Sequence, residues 1–288
     1  MEKERNISEL LFEKYLTLHS HNFDYEPLVE GKSAKLDYRV IFNGVTIFFD
    51  VKEFQQDIPV IPMGEIAVSI GGYDPYKYVR EKLEGAWTQL SQYKEYPCSV
   101  VLYNHTHTLV MLTPETVLGA MLGTLTYSID SNGQLNQFFG EPGSYRTAYL
   151  YDADGPRETP IIAVIVIEEV IVVPTEFTQM LDDQIKLLPE DYDEVAEAVN
   201  AFNNNLELSQ RGIVAKKVPR VVVYENPHAN IHFPRDMFIG PYDERWGKIE
   251  DGKIEKIFEG ERLGELQQTN LPADELCAIL QRKPQGSG

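Results

Sequence analysis
Cysteine is almost missing from this chain. Only Cys98 and Cys277 occur in 288 residues. They are too few for a disulfide framework and lack a metal-ligand spacing, which suits a reducing cytoplasm. Long apolar runs are missing too, since none approaches the roughly 18–20 residues that span a bilayer. The opening MEKERNISE is charged and has no apolar h-region, so neither a secretory signal nor a membrane partner is expected. Positive charge is scarce: 26 Lys and Arg stand against 45 Asp and Glu, a net charge of −19. A protein that grips long stretches of nucleic acid presents a basic surface, because neutralising phosphates supplies most non-specific affinity. Three cases remain: a local nucleic-acid contact, affinity supplied by a partner subunit or a homo-oligomer, or a different substrate. The rest of the composition is that of an ordinary globular protein, 43 % hydrophobic and 25 % charged. The chain is long enough to bury a full core, and it contains no internal repeat.

The stretch 35–53, KLDYRVIFNGVTIFFDVKE, organises the reading. Asn43-Gly44 predicts a hairpin, because both residues of its tight turn must tolerate φ > 0. A two-residue turn fixes the register, setting Asp37 opposite Asp50, Tyr38 opposite Phe49 and Val40 opposite Ile47. Alternation gives one apolar face of Leu36, Tyr38, Val40, Phe42, Val45, Ile47, Phe49 and Val51. The other face carries Asp37, Arg39 and Ile41 against Thr46, Phe48, Asp50 and Lys52. Two carboxylates thus oppose each other about 4.5–5.5 Å apart at Cβ, with a lysine two residues on. Like charges so placed destabilise a hairpin unless something offsets them. A magnesium ion does so, since it favours one or two carboxylates plus waters and a phosphate oxygen. The plain alternative is a pair of solvated acids on an open face, with a minor surface ion pair.

Residues 7–18 have helical spacing, with Ile7, Leu10, Leu11, Tyr15 and Leu18 on one side. Asn6 is the expected N-cap, and Glu9 three residues later gives a capping-box start; Glu9 and Glu13 share a face. Residues 54–74 hold two prolines and three glycines and read as an irregular excursion. Asp74-Pro75 starts a helix running to about residue 94 along Val79, Leu83, Ala86, Leu90 and Tyr93. Gln89 and Tyr93, four apart, project in similar directions. The run 98–103, CSVVLY, is continuous enough for a strand covered on both faces.

This order of elements resembles the PD-(D/E)XK nuclease superfamily, the restriction-endonuclease-like fold, over residues 7–104. Asp37 falls at the position of its first aspartate, Asp50-Val51-Lys52 at its (D/E)xK motif, and Gln89-x-x-x-Tyr93 resembles the QxxxY motif of the RecB-like branch. Leu36 stands where the family commonly has proline. The resemblance implies a central mixed β-sheet flanked by helices, with additional α+β elaborations. It also implies hydrolysis of phosphodiesters, with DNA the expected substrate and an endonuclease of bacterial or phage-defence setting the expected type. Glu9 (or Glu13), Asp37, Asp50 and the Val51 carbonyl would hold magnesium or manganese. Lys52 would orient or activate water, and Gln89 and Tyr93 would position the site or the phosphate backbone. An inactive relative serving as a binding or assembly subunit is the alternative.

The second half offers less. His105 and His107, two apart, suggest a strand–turn–strand, with a metal role the lesser reading. Thr113-Pro114 starts a short helix. Residues 128–158 suggest an excursion or hairpin, 161–173 a strand, and 175–209 an acidic helical region. Arg211, Lys216, Lys217 and Arg220 form the one basic cluster free of acids and are the candidate phosphate contacts. They lead into a strand at 221–224. The expected organisation is one elaborated domain over 1–240, loops and a helix (272–281) over 241–285, and an added linker at 286–288.

Overall fold
The computed structural model describes residues 5–33, 35–55, 74–105, 107, 110–123, 150, 158–172, 216–249 and 253–260. It also gives the backbone alone at 125–129, 135–139, 151–152, 155–156, 171 and 216. The chain divides into two compact units, Met1–Glu168 with Arg220–Glu261, and Glu169–Pro219 with Arg262–Gly288. The excursion at 56–73, the helical region expected at 175–209 and the helix expected at 272–281 lie outside the described residues.

The first unit is α/β. Its helices are α1 (Ile7–Leu18), α2 (Lys77–Leu90) and α3 (Pro114–Leu122). The strands of the main sheet are β1 (Asn22–Tyr25), β2 (Tyr38–Phe42), β3 (Val45–Phe54) and β4 (Cys98–Asn104). Two short hairpins follow, β5 (Leu125–Ile129) with β6 (Leu135–Phe139) and β7 (Tyr151–Asp152) with β8 (Gly155–Pro156). The main sheet then continues with β9 (Ile161–Val172), β10 (Lys216–Glu225), β11 (Glu244–Lys248) and β12 (Ile254–Glu259). Among the described residues it is an eight-stranded mixed sheet, ordered β1-β2-β3-β4-β9-β10-β11-β12. β3, β4 and β9 run parallel at its centre; β1, β2 and β3 pair antiparallel on one side, and on the other β10 pairs parallel with β11 and β11 antiparallel with β12.

The β2–β3 hairpin has the register that Asn43-Gly44 predicts, with Tyr38 opposite Phe49 and Val40 opposite Ile47. Both turn residues have positive φ, 48° and 80°. Tyr38, Val40, Ile47, Phe49 and Val51 pack on one side of the sheet under Leu11, Phe12, Tyr15 and Leu16 of α1. The other face is not open. Phe48 and Phe54 are buried with Val79, Leu83, Ala86 and Leu90 of α2, so β3 is covered on both sides. Leu36 packs in that α2 layer rather than with Tyr38, because strand alternation begins only at Tyr38. Each fully buried ring or branched side chain stabilises such layers by about 1.5–3 kcal/mol.

α1 has the expected capping box, with Asn6 Oδ1 accepting from Glu9 N and Glu9 Oε2 accepting from Asn6 N. Its inward face is turned from the expected one. Ile7, Leu10 and Leu18 are exposed, whereas Ser8, Glu9, Leu11, Phe12, Tyr15 and Leu16 are buried. Phe12 sets the phase by packing between Tyr38, Phe49 and Phe238. α2 begins at Lys77 and ends at Leu90, with a 3-10 turn over Ser91–Tyr93. No strand follows β4 at 105–113 among the described residues. The region beyond 241 is not merely loops: β11 and β12 extend the sheet. Among the described residues no helix is long and apolar enough to cross a membrane.

Candidate active site
Four of the residues singled out in the sequence meet where the start of β2, β3 and α2 come together. Asp37 lies just before β2, and its Oδ2 accepts the Val51 N–H at 2.7 Å. Asp50 and Lys52, two apart on β3, project to the α2 side with Phe48 and Phe54. The Lys52 Nζ lies 2.9 Å from Asp50 Oδ1 and 2.7 Å from Asp50 Oδ2. It also donates to Gln89 Oε1 on α2 at 2.8 Å. The α2 seam of Val79, Leu83, Ala86 and Leu90 fixes the helix on the sheet and so delivers Gln89 to the lysine.

Asp50 is the unusual member. It is 2 % exposed, and its Oδ2 has no directed hydrogen bond despite the nearby ammonium. Burial pushes its carboxyl up to about 7; Lys52 opposes this, and the adjacent Asp37 carboxylate adds to it by repulsion and hydrogen bonding. Lys52 brings one positive charge to two neighbouring carboxylates, so a buried pair of this kind still gains from a further cation. Among the described residues no three His, Cys, Asp or Glu side chains form a metal-holding group. The candidate donor set is therefore the Asp37–Asp50 pair with neighbouring backbone oxygen.

The remaining candidates lie elsewhere. Glu9 is buried, and its carboxylate closes the capping box on Asn6. Glu13 accepts from the Tyr38 hydroxyl at 3.3 Å and pairs with Arg5 at 3.0 Å. Tyr93 is 1 % exposed and packs on Phe48, with Lys32 over its ring, so it belongs to the core rather than to a substrate surface. Arg220 is held between Glu168 at 2.6 Å and Glu244 at 3.3 Å, which removes it as a free phosphate contact. Arg211 lies outside the described residues, Lys216 is described by backbone alone, and Lys217 is half-buried at the start of β10.

One pair was not foreseen as such. His105 Nδ1 lies 3.1 Å from Glu53 Oε1, while Glu53 Oε2 accepts from Ser8 N at 3.2 Å. Burial works against ionising Glu53, yet hydrogen bonds from Gln55, Ser8 and His105 hold its carboxyl below the usual range. The clue in the sequence was the position of Glu53 directly after Lys52. Its pairing with His105 depends on the parallel β3–β4 register, which no local pattern encodes. No protein-family model, curated protein or solved structure matches this chain.

Proposed function
We propose that this chain is a metal-dependent nuclease, a hydrolase of phosphodiester bonds in nucleic acid, acting on DNA as an endonuclease. In this reading its sheet is a restriction-endonuclease-like sheet of the PD-(D/E)XK kind. The observation that carries the proposal is the meeting of Asp37, Asp50, Lys52 and Gln89 around an Asp50 oxygen that is buried without a directed hydrogen bond. The topology supports it, because an antiparallel hairpin leads through a helix into a parallel central strand.

The residues fit a hard divalent cation, magnesium or manganese, which takes carboxylate and carbonyl oxygen. Asp37, Asp50 and the Val51 carbonyl would hold it, and when bound it would activate water and neutralise phosphate charge. Asp37 is kept in place by the Val51 N–H. Lys52 has three N–H donors; Asp50 and Gln89 take two, leaving one for a phosphate oxygen. Gln89 fixes the direction of that donor. With a net charge of −19, non-specific affinity for nucleic acid is assigned to a partner subunit or a homo-oligomer.

The test is hydrolysis of plasmid, linear and single-stranded DNA and of RNA with magnesium, manganese or EDTA, beside an Asp50→Ala/Lys52→Ala double variant. Metal-dependent cleavage lost in the variant is the expected result, and equal cleavage by both proteins would refute the assignment. A second reading, an inactive restriction-like binding or assembly subunit, is favoured by Lys52 being already paired with Asp50 and by the lack of a third carboxylate among the described residues. It predicts no cleavage of any of these substrates.

A further inference from the structure
Away from the Asp37–Asp50 group, the first unit contains a cleft of about 460 Å³, within the size range of small-molecule sites. It lies at the carboxyl end of β4, the side of an α/β sheet where ligands usually bind. The row Lys52–Leu102–Val166 crosses the sheet on this face. The floor of the cleft is therefore about 10 Å from Lys52, two strand spacings, with the buried Leu102 between them. It is a separate site.

Val166 and Val222 form that floor, and Leu112 and Pro114 form a wall from the segment that opens α3. The polar lining comes from β9, β10 and β11. Arg220 reaches Glu168 Oε1 at 2.6 Å and Glu244 Oε1 at 3.3 Å, and Lys256 lies 3.3 Å from Glu244 Oε2. Two carboxylates meet two cations, so an occupant gains nothing from a net charge. Arg220 commits at most three of its five N–H groups, and both of its contacts with Glu168 fall on Oε1, which leaves Oε2 to accept. Tyr224 lines the cleft and is 1 % exposed, yet no described residue accepts from its hydroxyl. Burial and the charges of Glu168 and Glu244 keep that hydroxyl protonated, so it is a donor. The start of α3 is no anion cradle. Pro114 has no N–H, the Thr113 hydroxyl already accepts from Thr116 N at 3.4 Å, and Glu115 adds negative charge in that turn.

Apolar walls, with donors and acceptors side by side and charges balanced, match a flat uncharged heterocycle whose own edge alternates donors and acceptors. We propose that this cleft binds a nucleobase, carried by a free nucleoside or by an unpaired nucleotide of a strand. The ring lies against Val166 and Val222, and its edge meets Tyr224, Arg220 and Glu168 Oε2. Binding there needs no metal and does not depend on the hydrolytic reading.

Calorimetric titration of the full chain with adenosine, guanosine, cytidine and uridine, in EDTA, tests this. Saturable binding of at least one nucleoside is expected. Tyr224→Phe removes only the hydroxyl and should weaken binding by about two- to tenfold. Leu112→Trp fills the cleft from a partly exposed position and should abolish it; circular dichroism checks both folds, and Tyr224→Phe decides alone if Leu112→Trp is unfolded. An uncharged methylphosphonate dinucleotide that binds more tightly than its nucleoside names a strand as the source, and equal or weaker binding names the free nucleoside. No nucleoside binding, tighter binding of the 5′-monophosphates than of the nucleosides, or binding undiminished in either folded variant overturns the proposal.

Discussion

Asp50 and Asp243 are both buried acids of the same unit, 2 % and 1 % exposed, yet their surroundings are opposite. Asp243 is saturated with donors: Val221 N–H at 2.9 Å, Gly240 N–H at 2.6 Å and the Tyr15 hydroxyl. It ties α1 to β10 and to the turn before β11. Burial beside this carboxylate keeps the Tyr15 phenol protonated, far above its ordinary range. Asp50 has a lysine, a second carboxylate and an oxygen without a directed hydrogen bond. A saturated buried acid holds a fold together, whereas an under-satisfied one beside a like charge is stable only at a cost that a ligand can relieve.

The contrast can be broken in four ways, from the largest effect down. Asp50→Ala should reduce metal-dependent turnover more than about a hundredfold while circular dichroism still shows a folded protein. Equal turnover would place the chemistry elsewhere. Asp243→Ala should behave in the reverse sense. It strands three buried donors and should cost about 3 kcal/mol or more in urea unfolding, and a loss below 1 kcal/mol would show that the tie is dispensable.

The third effect is a pH dependence. Burial pushes the folded carboxyl of Asp50 up to about 7, above the roughly 3.9 of an unfolded aspartate. The folded state thus holds the proton more tightly. That contribution to stability is complete below about pH 4 and is lost as pH rises through about 7. Asp50→Asn has no such loss, so its stability relative to the parent should rise across that window, by on the order of 1 kcal/mol or more at pH 8. Parallel stability curves would contradict the strained carboxylate. The smallest effect belongs to an exposed acid. Asp24 pairs with Arg39 at 2.6 Å with both side chains substantially solvated, and Arg39→Ala should shift stability by less than about 1 kcal/mol.

The parts that were legible in the sequence are those governed by local rules. Asn43-Gly44 set the register of β2 and β3, the Asn6–Glu9 capping box set the start of α1, and Val79, Leu83, Ala86 and Leu90 set the inward face of α2. The meeting of Asp50 and Lys52 with Gln89 follows from those elements once α2 covers the sheet. The illegible parts depended on distant partners. α1 is apolar over much of its circumference, so only packing of Phe12 on Tyr38, Phe49 and Phe238 decides that Leu10 faces out. Arg220 looks free in sequence because Glu168 and Glu244, which hold it, come from neighbouring strands. Residues 244–248 and 254–259 form β11 and β12, and charged residues interrupt the apolar alternation through both segments.

The central claim is that Asp37 and Asp50 form a cation site, and calorimetric titration of manganese into the full chain tests it most directly. The account predicts saturable binding that is abolished in Asp50→Asn and retained in Asp24→Asn, with both variants folded by circular dichroism. No binding to the parent protein, or undiminished binding to Asp50→Asn, would contradict it.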